Sequence, residues 1–315
     1  MCQTNRWDRS ELHNFPSNPS ELQTSPSNPS DALKKLDLSE LSIIFRPIEM
    51  AALPLIATWP LVSEEEQNIC QFLYLDFATR LADLLHPTIL YKFHIRRIRL
   101  VQQDYRNWRM EVHLSDGGPP ELIQDQQPMM TLLLFLLQFG IIEELIASEI
   151  NFSDEIMAKL RRKFELSGEF RISKFIGFPR TSMLKLYMFS NPDSLRTIEF
   201  SSENGQGLPF QRIVSHQGFK NIQRMTMSPV KEVDALEWLA MKFIASESEI
   251  GTQADIRMEV EGGWERFMSR FEDQVIGRVA EVQVTVAIPR TEKGIVLQRR
   301  RDAPGVFTMR IVQLE

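Results

Sequence analysis

Leu195-Arg196-Thr197-Ile198-Glu199-Phe200 and, 27 residues further on, Ile222-Gln223-Arg224-Met225-Thr226-Met227 share one pattern: apolar, two spacers, apolar, one spacer, apolar. The same pattern stands at Ile142-Leu145-Ala147 and at Val279-Val282-Val284, so the first positions lie 53, 27 and 57 residues apart. These are about two, one and two units of roughly 27 residues, inside the range of leucine-rich-type repeats. Looser strands fill the gaps at Phe170-Ile172 and Ile256-Met258-Val260. Almost every strand precedes a stretch that reads as helix. The expected fold is therefore α/β: a leucine-rich-repeat-like β-α solenoid of about six units, with a helical N-terminal segment and a C-terminal antiparallel β meander. Such an architecture offers a binding surface and names no reaction.

Working outward, Met129–Phe139 reads as the first helix, ended by Gly140. Ser153-Asp154-Glu155 caps a helix through Phe164, with Ile156, Leu160 and Phe164 inward. Further helices are expected at Thr181–Phe189, Phe210–His216, Val233–Ala245 and Gly263–Gln274, between strands at Glu169–Phe175, Leu195–Phe200, Ile222–Met227 and Asp255–Val260. Upstream, Ile95-Ile98-Leu100 repeats the pattern, and the alternation of Trp108–Leu114 makes it an antiparallel partner. Downstream, a strand Val279–Ile288, then Gly294–Arg299 and Val306–Val312, form the meander, which would cap an open sheet edge.

Three regions follow. Residues 1–35 repeat Ser-Asn-Pro-Ser at Ser17–Ser20 and Ser27–Ser30 and read as a disordered tail, too polar to offset its ordering entropy. Residues 36–90 read as helical: Pro47 suits a first helical turn, and Ser63 with Glu66 forms a capping box. Residues 91–315 hold the repeats.

Of 315 residues, 43% are hydrophobic and 25% charged, which is ordinary for a soluble globular chain. The net charge of −6 does not point to nucleic acid or to an anionic membrane. Cys2 and Cys70 are too few and too ill-spaced for a disulfide framework or a zinc site. No export signal is visible, and the most apolar run, Leu132–Leu137, is far short of the ~20 residues of a membrane span. The expected location is intracellular, cytoplasm or nucleus. The five histidines are scattered, and no zinc-protease, nucleophile-elbow or phosphate-loop motif occurs. No cofactor, no metal and no enzymatic activity are expected. Gly262-Gly263 reads as a turn, Cys70 as core, and the basic runs Arg161–Lys163 and Arg299–Arg301 as solvated faces.

The residues between the apolar positions would line the concave face, because strand side chains alternate. They are Arg97, Arg99, Glu144, Ile146, Thr197, Glu199, Arg224, Thr226, Arg257, Glu259, Glu281 and Gln283. Mixed charge there suits a protein target of complementary pattern; a merely solvated face is the plainer alternative.

Phe219-Lys220-Asn221-Ile222-Gln223-Arg224-Met225, the helix Val233–Phe243 after it, and the terminal strands Val282–Arg300 and Phe307–Ile311 resemble the nematode F-box-associated and FTH-type family. Arg46-Pro47-Ile48-Glu49-Met50-Ala51-Ala52-Leu53-Pro54-Leu55-Ile56-Ala57 is similar to the second half of a worm F-box. The usual Leu-Pro opening and the later Cys-Ser-Lys segment are missing; Leu38-Ser39-Glu40-Leu41 stands near the former. The resemblance implies a substrate-recognition adaptor of an SCF-type cullin-RING ubiquitin ligase. Leu38, Leu41, Pro47, Ile48, Leu53 and Leu55 would dock the Skp adaptor, and the repeat sheet would hold a target protein. The degenerate F-box keeps open the alternative of a scaffold on the same solenoid without a ligase.

Overall fold

The architecture is that of a computed structural model. It describes residues 80–81, 83–84, 86, 88, 92–102, 108–124, 126–147, 152–167, 170–177, 181–202, 206–280, 282–303 and 305–315. The chain divides into two units, Met1–Met50 and Ala51–Glu315, and every described residue belongs to the second. The tail, the docking residues Leu38, Leu41, Pro47, Ile48, Leu53 and Leu55, both cysteines and Glu281 lie outside the described residues.

Strands β1 (Phe93–Gln102), β2 (Trp108–Leu114) and β3 (Glu121–Ile123) come first. Then helices and strands alternate: α1 (Gln126–Phe139), β4 (Gly140–Ala147), α2 (Asp154–Ser167), β5 (Arg171–Gly177), α3 (Thr181–Met188), β6 (Thr197–Ser201), α4 (Phe210–Val214), β7 (Arg224–Val230), α5 (Ala235–Ala245), β8 (Gln253–Met258) and α6 (Gly263–Phe271). Four strands end the chain: β9 (Val275–Val279), β10 (Gln283–Ala287), β11 (Lys293–Arg299) and β12 (Val306–Gln313). All twelve form one sheet, in the order β3-β2-β1-β4-β5-β6-β7-β8-β12-β11-β10-β9. β1 and β4 to β8 run parallel, as neighbours in chain order. Antiparallel strands flank them on both sides.

One row of side chains crosses ten of these strands. Val112, Ile98, Leu145, Phe175, Ile198, Met225, Ala254, Met309, Leu297 and Val284 stand opposite one another in turn. Each is at most 2% exposed. Ile98, Leu145, Ile198, Met225 and Val284 are repeat positions of the sequence pattern. The row meets the helices through rings: Phe175 lies edge-on to Tyr187 of α3 at 6.0 Å. Neighbouring buried positions do the same, with Phe93 stacked on Phe135 of α1 and Trp264 of α6 on Phe307.

The three-residue step within the pattern has a local cause. On an unbroken strand, residues two apart share a face. Between Ile95 and Arg97 the pairing of β1 with β2 slips by one, and an extra residue lets Ile95 and Ile98 both face the core. In β6 and β7 the first apolar residue, Leu195 or Ile222, is buried just before the strand begins. Gly177 closes β5 with φ 137°, and a Cβ there would lie 1.8 Å from the Ala147 carbonyl oxygen, so no other residue fits.

The helices follow their apolar patterns. α1 is buried through Leu132, Leu133, Phe135, Leu136 and Leu137, which accounts for the most apolar run of the chain. Ser153 caps α2, its Oγ accepting from the Ile156 amide at 3.4 Å. Leu160 of α2 is fully buried, while Ile156 and Phe164 are half-buried. Among the described residues no helix is long and apolar enough to cross a membrane.

Several expectations need correction. Val279–Ile288 is not one strand. β9 and β10 form an antiparallel hairpin, turned at Ala280, whose backbone is left-handed (φ 49°). Val279, expected as a buried first repeat position, is 58% exposed. The pattern fails there because a valine triplet with these spacers suits two strand ends and a turn as well as one strand. β8 begins and ends earlier than expected, so its buried residues are Ala254, Ile256 and Met258, and Val260 lies beyond it. β7 runs on through Ser228-Pro229 to Val230, because Pro229 falls at an irregularity of the β7–β8 ladder where no amide donor is needed. The helix expected at Phe210–His216 stops at Val214, and a 3-10 turn at Gln217–Asn221 follows. β3 and its place on the edge were not expected.

Two substitutions separate the buried row from the misassigned valine. Leu145→Ala is expected to lower the unfolding free energy by about 2–5 kcal/mol through the cavity it opens. Val279→Ser is expected to change it by no more than about 0.5 kcal/mol. Urea unfolding followed by circular dichroism measures both, and a large loss for Val279→Ser would contradict the hairpin.

Candidate binding face

The strand residues that alternate with the buried rows point away from the helices. Two lines of them run across the sheet. The first is Arg97, Glu144, Lys174, Thr197, Arg224, Gln253 and Arg310, and the second is Arg99, Ile146, Ile176, Glu199, Thr226, Asp255, Thr308 and Gln298. Parallel strands stand about 4.8 Å apart, so side chains paired in register are within reach of one another.

On the β1–β6 side the charges neutralise one another. Arg97 Nε lies 2.6 Å from Glu144 Oε2. Lys174 Nζ lies 3.7 Å from Glu144 Oε1 and 2.7 Å from Glu199 Oε1. At the end of this ladder Glu111 lies 3.5 Å from Arg99 and 3.3 Å from Arg109. Four strands thus carry a chain of alternating sign, Arg97–Glu144–Lys174–Glu199.

The β7–β8–β12 side is different. Asp255 Oδ1 accepts from Thr308 Oγ1 at 2.6 Å, and its Oδ2 accepts from Gln253 Nε2 at 2.8 Å. Around it stand Arg224, Arg257 and Arg310, all exposed. Among the described residues none of the three has a carboxylate within 4 Å. Arg300 reaches the same side beside Val306, the register partner of Arg257, and is held by Asp302 at 2.6 Å. That bond holds the Asp302 carboxyl below the usual carboxylate range and raises Arg300.

Of the residues expected on this face, Arg97, Arg99, Glu144, Ile146, Thr197, Glu199, Arg224, Thr226 and Arg257 are on it. Gln283 of β10 is on it too, opposite Gln298. Glu259 lies one residue past β8 and reaches Lys231 at 3.6 Å. Lys174, Gln253, Asp255, Thr308 and Arg310 were missed. Lys174 precedes Phe175 as Glu144 precedes Leu145, a signal present in the sequence but hidden by the looser pattern of β5. Thr308 and Arg310 join only through the β8–β12 pairing.

Three further perturbed groups are buried against backbone partners. His216, 8% exposed, accepts from the Gly218 amide at Nδ1 (3.1 Å), and its Nε2 faces the Met188 carbonyl at 3.3 Å. The ring is thus neutral with its proton on Nε2, and it packs 4.5 Å from Tyr187. Burial first, then Lys242, lowers its pKa against the opposing Met188 bond. The Tyr187 hydroxyl donates to the Ile213 carbonyl at 2.9 Å, and burial raises its pKa. The Lys92 amine donates to the Gln138 carbonyl, and burial, followed by Arg171, pushes its pKa down to about 8. A groove of about 480 Å³ lies between α6 and the β9–β11 strands, and Trp264, Met268, Arg278, Val284 and Arg299 are among its described walls. Among the described residues no group of three His, Cys, Asp or Glu could hold a metal ion.

The ladder predicts a modest, salt-sensitive contribution. Glu144→Gln removes the central anion; with Arg97 38% and Lys174 26% exposed, solvent screening limits the loss to about 0.5–1 kcal/mol. A double-mutant cycle with Lys174→Met, in low and high salt, measures it. His216 sets a pH dependence. Its folded pKa lies below the unfolded value of about 6.5, so the unfolded chain takes up the proton first as pH falls. Stability is therefore full above about pH 6.5 and declines below it, and the fall in Tm from pH 7 to pH 5 should be smaller in His216→Gln. Equal falls in the two proteins would contradict a neutral buried ring.

No family model matches this chain, and neither a curated protein nor a solved structure does.

Proposed function

We propose that this protein is a protein-protein interaction module that holds its target on the face of the sheet opposite the described helices. The observation that carries this is the division of the sheet: one face is buried under helices, and the other presents charged and polar side chains from at least eight consecutive strands. The repeat units belong to the same proposal. Ile98, Leu145, Phe175, Ile198, Met225 and Ala254 mark six β-α units of a leucine-rich-repeat-like solenoid, the last five spaced 30, 23, 27 and 29 residues apart. The meander of β12, β11, β10 and β9 would then be its terminal cap.

The resemblance to F-box-associated and FTH-type proteins gives the module its role. Residues 36–90 would dock the Skp adaptor through Leu38, Leu41, Pro47, Ile48, Leu53 and Leu55, and cullin would join the complex through that adaptor. The chain would do no chemistry itself. Its action would be proximity, raising the effective concentration of a target lysine beside a ubiquitin-charged enzyme. The second reading is a scaffold on the same solenoid. The missing Leu-Pro opening and the missing Cys-Ser-Lys segment favour it.

A pull-down of full-length protein against a Skp adaptor separates the two. Binding that Pro47→Ala/Leu53→Glu abolishes is the expected result for the adaptor. Absence of binding at micromolar concentration, with the protein shown to be folded, leaves the scaffold. Proximity labelling in cells tests the face itself: Thr197→Trp/Thr226→Trp should lose the partners that the unaltered protein labels. Retention of every partner would refute a target on this face.

A further inference from the structure

We infer that the part of this face that grips a partner is the β7–β8–β12 quadrant, and that it takes a carboxylate-rich, extended protein segment. The inference rests on the proposal that the face opposite the described helices binds protein.

It starts from an asymmetry of charge. On the β1–β6 side every carboxylate of the ladder has a basic neighbour: Glu111, Glu144 and Glu199 are all paired. A partner there would have to break ion pairs that already exist, and would gain little in return. In the quadrant, Arg224, Arg257 and Arg310 are exposed with no carboxylate within 4 Å among the described residues. They stand out in a chain of net charge −6. Asp255, at their centre, has both oxygens engaged by Thr308 and Gln253. Arg300 on the rim is held by Asp302, both side chains more than half exposed, a pair that a stronger acidic partner could replace.

The spacing selects the form of the ligand. Arg224 and Arg310 sit in one register line with Gln253 between them. Two strand spacings place them about 10 Å apart, close to the roughly 9 Å between every third residue of a peptide in the extended polyproline II form, where three residues of about 3.1 Å make one turn and so share a side. Each guanidinium presents a fork suited to a carboxylate. Single-stranded nucleic acid fits less well. The described residues of β6, β7, β8, β12 and β11 that point to this face include no aromatic ring on which a base could stack.

The test uses full-length protein and a fluorescein-labelled 15-residue peptide with Glu at every third position and Ser or Gly between. A Gln counterpart and a 15-nucleotide U-only RNA serve as comparisons. Fluorescence anisotropy at about 0.05 M salt should show saturable binding of the Glu peptide alone, weakening as salt rises. Arg224→Glu/Arg257→Glu/Arg310→Glu should weaken it at least about tenfold. Arg161→Glu/Arg162→Glu/Arg212→Glu, with the same change of net charge on exposed helix positions, should not. Arg224→Gln/Arg257→Gln/Arg310→Gln, checked by circular dichroism, guards against unfolding and should also weaken it. No binding by the unaltered protein, equal loss in both Glu triples, or tighter binding of the RNA would overturn the inference. The labelling experiment with Thr197→Trp/Thr226→Trp keeps the two proposals apart. Partners lost there but kept by the arginine triple would leave the face as the binding site and refute the quadrant; partners kept by both variants would refute both.

Discussion

The in-register row from Val112 through Phe175 to Val284 is the constraint on which the rest depends. Side chains on a strand alternate with a period of two, so a slip of one residue in any ladder would turn a buried set toward water. Here ten strands agree on one buried position, from the antiparallel β2 at one end to β10 at the other. Agreement of this kind makes the helix layer and the open face complementary products of one register. The irregularity at Ile95–Arg97 belongs to the same constraint, since it restores the phase after a three-residue step.

The open face inherits its chemistry from that register. Arg97, Glu144 and Lys174 are far apart in sequence, the first two 47 positions apart, yet they meet because their strands pair in parallel at those positions. The exposed pairs contribute little to stability each. Their larger effect is to remove free charge from one half of the face and so to distinguish it from the half around Asp255. The face thus has a neutralised side and a side whose arginines have no carboxylate within 4 Å among the described residues.

Buried titratable groups serve the fold here. His216 is held neutral between a backbone amide and a backbone carbonyl, caps the 3-10 turn before β7, and packs against Tyr187. Lys92 spends its amine on the last turn of α1 through the Gln138 carbonyl. Both groups tie a helix end to a neighbouring element. Their perturbed pKa values follow from this burial.

The sequence by itself determined the local elements. The apolar pattern at Leu195–Phe200 and Ile222–Met227, the alternation of Trp108–Leu114 and the cap at Ser153 follow from periodicity and side-chain chemistry that act within a few residues. From these the parallel β-α order and the outward direction of Arg97, Glu144, Thr197 and Arg224 were legible. Tertiary structure alone decided which of those outward residues meet. Lys174 closes the ladder, and Thr308 reaches Asp255 across 53 residues, only after β5 and β12 take their places in the sheet. It also decided that Val279 belongs to a hairpin, because a short valine pattern is compatible with either a strand or a turn, and only pairing with β10 selects between them. Charge compensation across a sheet is a property of register between distant segments, and no local pattern encodes it.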